Sequence, residues 1–286
     1  MHVRPMTRDE VDVLVEWAAL EGWNPGRHDA DAFWAADRDG FVAAELDGEV
    51  VGGGSIVAHG PRYGFMGFFI MRPEFRGQGL GRELWFTRRN RLLDRLEPGA
   101  AIEMDGVFAM APFYAAGGFV TQHRDLRFAG VATAPDGDAP VGAVEVVDAA
   151  EVPFEVIEAY DRAHFPGERA AFLRRWLAPP GGHALAVADA DGCRGYTVLR
   201  PAREGYRFGP LFADDATVAE ALYATSTARV EGAEVFLDVP ERNGDAMALA
   251  ARHGLEEVFG CARMTHGPVP ALPWHEIFGV TTYELG

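Results

Sequence analysis

Apolar residues near the start of the chain recur at helical spacing, with Val11, Leu14, Trp17 and Ala18 on one face. Thr7 and Glu10 precede them in the spacing of a capping box, where each side chain satisfies the other's free backbone amide. The pattern predicts a helix over 7–20. Gly22-Trp23-Asn24-Pro25-Gly26 breaks it, and a short second helix is expected near 29–37. Residues 41–46 and 49–58 read as strands joined by Asp47-Gly48, a pair that adopts the positive φ of a tight hairpin turn. One strand is predicted over 63–71. Leu80, Leu84, Leu92 and Leu96 then mark a long helix, followed by a strand near 100–104, a short helix after Pro112 and a strand at 119–128. The sum is a mixed α/β domain.

Residues 131–140 lack periodicity and are rich in breakers, which predicts a linker. The order of elements then repeats. A strand near 143–147, helices at 151–162 and 167–177, and strands at 183–189, 193–200 and 205–211 are expected in turn. A helix at 215–230, a strand at 233–239, a helix after Asn243 and a strand at 256–265 complete the series. Matched turns support a structural repeat: Asp47-Gly48 beside Asp191-Gly192, and Gly118-Phe119 beside Gly254-Leu255. The expected division is 1–130, a linker at 131–140, and 141–286.

At 286 residues the chain is long enough for two cores, and 48% hydrophobic with 24% charged residues suits a globular protein. No apolar run reaches the roughly 20 residues of a membrane helix, and the amino terminus lacks a secretory pattern, so a cytoplasmic setting without membrane attachment is expected. Cys193 and Cys261 have no metal-binding or disulfide spacing and read as small core residues; no metal is expected. A net charge of -17 opposes nucleic-acid binding and favours cationic partners. The chain has no lysine, which excludes a P-loop of the G-x4-G-K-[ST] type. Ser55 lacks a G-x-S-x-G frame and no H-E-x-x-H is present. Oligomeric state is not legible.

One segment departs from this acidic background. Between 72 and 95, seven Arg face Glu74, Glu83 and Asp94, a balance of +4. Here Gly67-Phe68-Phe69-Ile70-Met71 runs through Arg72-Pro73-Glu74-Phe75 into Arg76-Gly77-Gln78-Gly79-Leu80-Gly81, a glycine-rich loop opening a helix. Glycines let successive backbone amides approach one anion, and the helix dipole adds to the attraction. The dinucleotide frame G-x-G-x-x-G fails, because Arg82 and Leu84 stand where its last glycine belongs. The frame that fits is Arg76-x-x-Gly79-x-Gly81.

In this frame the chain resembles the GNAT superfamily of acetyltransferases, whose R/Q-x-x-G-x-G/A loop binds the pyrophosphate of acetyl-CoA. The resemblance implies two tandem GNAT-like domains, each a mixed, mostly antiparallel sheet flanked by helices. It implies acetyl-CoA as co-substrate, held by the loop amides of Gly77, Gln78, Gly79, Leu80 and Gly81 beside Arg76. Phe69, Ile70 and Met71 would pair with the pantetheine like an added strand, in a gap where this strand splays from its neighbour. The amide near Ile70 or Met71 would polarise the thioester carbonyl.

Tyr114, in Pro112-Phe113-Tyr114 before Gly118-Phe119, is similar to the family tyrosine that donates to the CoA sulfur; a tyrosine packed beneath its helix is the plain alternative. Val107 stands where the family often carries asparagine. Glu103 and Asp105 are the candidate bases, against a reading as solvated strand-end carboxylates. Glu21, Trp23 and Asn24, after the first helix, are the candidate acceptor contacts, and Trp17 and Trp23 suit either a cationic or aromatic substrate or the core. In the second half the glycine loop is absent, Asp214 and Asp215 oppose phosphate, and Ala250 replaces the tyrosine. That half resembles a degenerate GNAT-like domain that completes the acceptor pocket, with Asp161, Phe165, Arg169, Trp176 and Arg200 as candidates or as interdomain packing. The expected reaction is acetyl transfer to a primary amine of a small molecule or a protein; the alternative is a non-catalytic acyl-CoA sensor.

Overall fold

The computed structural model describes residues 1–133 and 144–286. Most of the expected linker, 134–140, lies outside them.

The first half runs β1 (His2–Pro5), α1 (Arg8–Leu20), α2 (Asp29–Ala36), β2 (Phe41–Leu46), β3 (Glu49–Ser55), β4 (Val57–Ala58), β5 (Tyr63–Phe65) and β6 (Ile70–Met71). It continues through α3 (Leu80–Arg95), β7 (Ala101–Val107), α4 (Ala111–Ala116) and β8 (Val120–Val131). The second half runs β9 (Val147–Asp148), α5 (Phe154–His164), α6 (Ala170–Trp176), β10 (His183–Asp189), β11 (Gly192–Pro201), β12 (Tyr206–Ala213) and α7 (Ala216–Ala228). It ends with β13 (Glu234–Pro240), α8 (Gly244–Arg252), β14 (Glu256–His266) and β15 (Ile277–Gly279).

Local chemistry explains most boundaries. Thr7 and Glu10 form the capping box, with Glu10 N donating to Thr7 Oγ1 at 3.3 Å and Thr7 N to Glu10 Oε2 at 2.8 Å. Asp47 and Gly48 both have positive φ, 51° and 83°, as the β2–β3 hairpin requires.

The predicted strand over 63–71 is broken. Phe68 has φ 51°, a left-handed backbone rare outside glycine, and it divides the strand into β5 and β6. β5 pairs with β7, whereas β6 pairs with β3. Two sheets therefore part at this point: β1-β2-β3-β6 on one side, and β4-β5-β7-β14-β8-β13-β12-β11-β10-β9 on the other.

The second sheet is continuous through both halves. β14, from the second half, lies between β7 and β8 of the first; β8 lies between β14 and β13. Each half thus fills a slot in the other, and strand edges that would otherwise carry unpaired amides are satisfied. Beyond β14, where no element was expected, the tail forms β15 against β12, and residues 277–286 are buried throughout.

Candidate active site

The parting of the sheets opens a cavity of about 460 Å³. Its floor is the splayed segment from Met66 to Met71, one end reaches Arg76, Gly77 and Gly81, and the opposite end carries Phe259, Cys261, Tyr283 and Glu284 from the second half.

At the first end, Gly77 and Gly79 have φ of 76° and 84°, and Gly79 is the N-cap of α3. The backbone amides from Gly77 through Arg82 have no hydrogen-bond partner among the described residues. A β-carbon at Gly77 or Gly79 would meet nothing, so the space above the loop is open. An exposed row of free amides at a helix mouth fits a diphosphate. Arg76 donates through Nε to the Met71 carbonyl at 2.8 Å and pairs with Glu21. Glu21 therefore joins the loop to the end of α1. Gln78 donates its amide nitrogen to the Glu74 carbonyl at 2.9 Å, and Leu80 begins α3 half-buried.

Ile70 and Met71 pair with Gly53 and Gly52 on one edge, and their other edge has no strand partner among the described residues. The ring of Phe69 stacks on Phe113 at 6.3 Å. Tyr114 faces the cavity from α4; its ring stacks on Trp85, and Gly106 leaves room for it, since a β-carbon there would lie 2.6 Å from Tyr114 Cε2. Its hydroxyl has no hydrogen-bond partner among the described residues. Burial pushes the phenol up to about 12.

The two candidate bases separate. Glu103 is not a solvated strand-end group and does not line the cavity: it is 2% exposed and accepts from Tyr63 at 3.0 Å and Thr265 at 2.8 Å. Asp105 does line the cavity and is held by Arg263 of β14 through Nε at 2.7 Å and Nη2 at 2.8 Å. Burial, reinforced by the neighbouring Asp125, holds the Asp105 carboxyl well above the usual range despite Arg263.

On the acceptor side Trp23 lines the cavity, but Asn24 does not. The Asn24 side chain exchanges hydrogen bonds with the Glu204 backbone at 3.0 and 2.9 Å, tying the loop to the second half. Arg127 and Arg207 donate to the carbonyls of Trp23 and Asn24 at 2.7 and 3.1 Å while sharing Asp238. Of the second-half candidates, Asp161 and Arg169 form a buried pair at 2.5 Å, Arg200 pairs with Asp29 at 2.8 Å, Trp176 donates to Gly209, and Phe165 packs on His59. These five serve core and seam; none lines this cavity. The wall that the second half does supply was not legible: Cys261, read as a core residue, and Phe259 sit on an inserted strand, and Tyr283 and Glu284 sit on an unrecognised tail.

In the second half, the Asp215 carboxylate accepts from Thr217 and Val218 N at 2.8 and 3.0 Å, filling the amino terminus of α7. No group of three or more His, Cys, Asp or Glu is arranged to hold a metal, and no helix is long and apolar enough to cross a membrane, among the described residues.

Residues 9–119 match the acetyltransferase (GNAT) family and residues 157–279 match an acetyltransferase (GNAT) domain. Holothin acyltransferase of Pseudoalteromonas sp. (strain SANK 73390) is 30% identical over 284 residues, covering 99% of this chain and 94% of that protein. A crystal structure from Pyrococcus horikoshii superposes with TM-score 0.82 at 20% identity, covering 100% of this chain and 95% of that one. A tandem GNAT protein from the clavulanic acid biosynthesis pathway does so with TM-score 0.62 at 16% identity, covering 94% and 99%. At those identities the two structures speak for the fold.

Proposed function

Because the chain belongs to the GNAT family of acetyltransferases and is an acyltransferase, we propose that it transfers an acetyl group from acetyl-CoA to a primary amine of a small molecule, by direct attack in a ternary complex. The observation that carries this reading is the single cavity joining the free loop amides to a wall built by the second half. A co-substrate whose diphosphate sits on the loop would lay its pantetheine along the free edge of Ile70 and Met71. The amine nitrogen attacks the thioester carbon, the C–N bond forms, and the C–S bond breaks with its electron pair leaving on sulfur. Asp105, the candidate carboxylate that lines the cavity, takes the proton from the amine. Tyr114 donates a hydrogen bond to the departing sulfur.

Glu21 and Trp23 border the acceptor; Asn24 acts through the loop it anchors. The proposed units are the catalytic first half and the second half that completes the pocket, in a cytoplasmic setting. Purified protein tested for thiol release from acetyl-CoA, with holothin and a broad amine panel as acceptors, should turn over at least one amine. Absence of any CoA affinity, or affinity unchanged by bulky replacements at Gly79 and Gly81, would end this reading.

A further inference from the structure

The apolar stripe of α3 contains a cation. Leu84 and Leu92 are fully buried one turn on either side of Arg88, which is itself only 1% exposed. A residue at that spacing should pack as a leucine does. The sheet makes room for the arginine instead: Gly54, inside β3, has no β-carbon, and one built there would overlap the guanidinium. A glycine in a strand interior weakens the strand, and here it accommodates this charge.

The guanidinium is incompletely used. Nη2 donates to the carbonyls of Ser55, at 2.6 Å, and Gly67, where the strand breaks at Phe68. Nε and Nη1 are buried without a partner, and no carboxylate pairs with Arg88 among the described residues. Burial without a counter-ion lowers the group to about 9, which leaves it charged at neutral pH. It lines the cavity together with Tyr114, and the two are linked through Phe69, whose ring centroid lies 5.5 Å from the guanidinium and 6.4 Å from the Tyr114 ring.

A desolvated, unpaired cation is costly, and it is worth most where negative charge develops in a water-poor site. We infer that Arg88 stabilises the negative charge on the CoA sulfur as the thioester breaks, with Tyr114 supplying a hydrogen bond to the same atom. This inference rests on the function proposed above. It also resolves a mismatch: a phenol at about 12 gives up its proton reluctantly to a thiolate whose acid lies near 8.5. With Arg88 present, sulfur leaves as the anion and Tyr114 keeps its proton.

The test is titration of the CoA thiol on the protein, followed by thiolate absorbance. On the native protein the bound thiol should be at least about tenfold more acidic than free CoA, since a nearby cation favours the charged form. Arg88→Met should return it to the free value or above, and Arg88→Lys should retain part of the shift. Thiol release from acetyl-CoA should fall about a hundredfold in Arg88→Met, the scale of a lost charge-stabilising donor. A native bound thiol no more acidic than free CoA overturns the inference, and this holds even if Arg88→Met fails to fold. An Arg88→Met protein that melts earlier but keeps the bound-thiol acidity also overturns it, leaving Arg88 as a staple for the broken strand. Failure to bind CoA at all overturns the proposed function instead.

Discussion

Tyr114 reaches the cavity because Gly106 carries no side chain on the strand beneath it, and Trp85 fixes the ring by stacking. Replacing the hydroxyl alone should therefore disturb chemistry and little else. Tyr114→Phe is expected to lower thiol release at least about tenfold, the scale of one lost hydrogen bond to a charged group, with CoA affinity by calorimetry nearly unchanged. Unchanged turnover would leave Tyr114 as packing. The loop glycines make a different case. A β-carbon at Gly79 meets no atom, yet its φ of 84° strains any side-chain residue by about 1–2 kcal/mol. At Gly81 φ lies outside the left-handed region and the nearest atom to a β-carbon is Met71 Cγ at 3.4 Å. Gly81→Ala should therefore keep the melting temperature and isolate the effect of backbone approach on CoA affinity.

Among the elements, α8 shows how a helix end can serve a distant site. Asn243 caps it by accepting from Asp245 and Ala246 N at 3.1 and 3.2 Å, and its amide donates to the carbonyls of His275 and Ile277. The same side chain thus fixes the start of β15, from which the tail carries Tyr283 and Glu284 to the cavity. A cap alone is worth about 1 kcal/mol, and two further hydrogen bonds, the one to Ile277 buried, raise the expected cost of Asn243→Ala to about 2–4 kcal/mol. Denaturant unfolding should show this loss, and thiol-release kinetics should show a weakened acceptor KM with the KM for acetyl-CoA kept. An equal change in both would separate the tail from acceptor binding.

Over the whole molecule, the exchange of β8 and β14 makes the halves interdependent. Residues 1–133 expressed alone should not fold, because β7 and β8 would both lose the strand between them; co-expression with 144–286 should restore a soluble, melting complex. Independent cooperative folding of either half would refute this. Acidity should weaken the assembly early. His59 is buried against the tail, with Nε2 3.1 Å from the Leu285 carbonyl, and burial, aided by Arg169, lowers its ring to about 3. The unfolded chain takes up a proton below about 6.5 that the folded ring refuses until about 3. Stability contributed by the neutral ring is thus complete above 6.5 and declines as pH falls through that window. Melting temperatures from pH 7 to 4 should decline accordingly, and His59→Gln should flatten the curve.

Local rules were enough for much of this. Periodicity, the Thr7–Glu10 box and Asp47-Gly48 place helices and hairpin because their causes lie within a few residues, and the glycine spacing before α3 announces an anion loop for the same reason. The break at Phe68 carried no local signal, since phenylalanine prefers the extended backbone that its neighbours suggested. Glu103 and Asp105 look alike in sequence and share a face of β7; only tertiary packing separates them, Asp105 lining the cavity on Arg263 of β14 while Glu103, one pleat earlier, is closed off by Tyr63 and Thr265. Arg88 left a trace, a missing leucine in the stripe and a glycine in a strand, that became meaningful once the two faced each other. The far wall of the cavity was decided by tertiary structure alone, because its residues lie more than 100 positions from the loop they face, and long-range pairing of strands leaves no mark in local spacing.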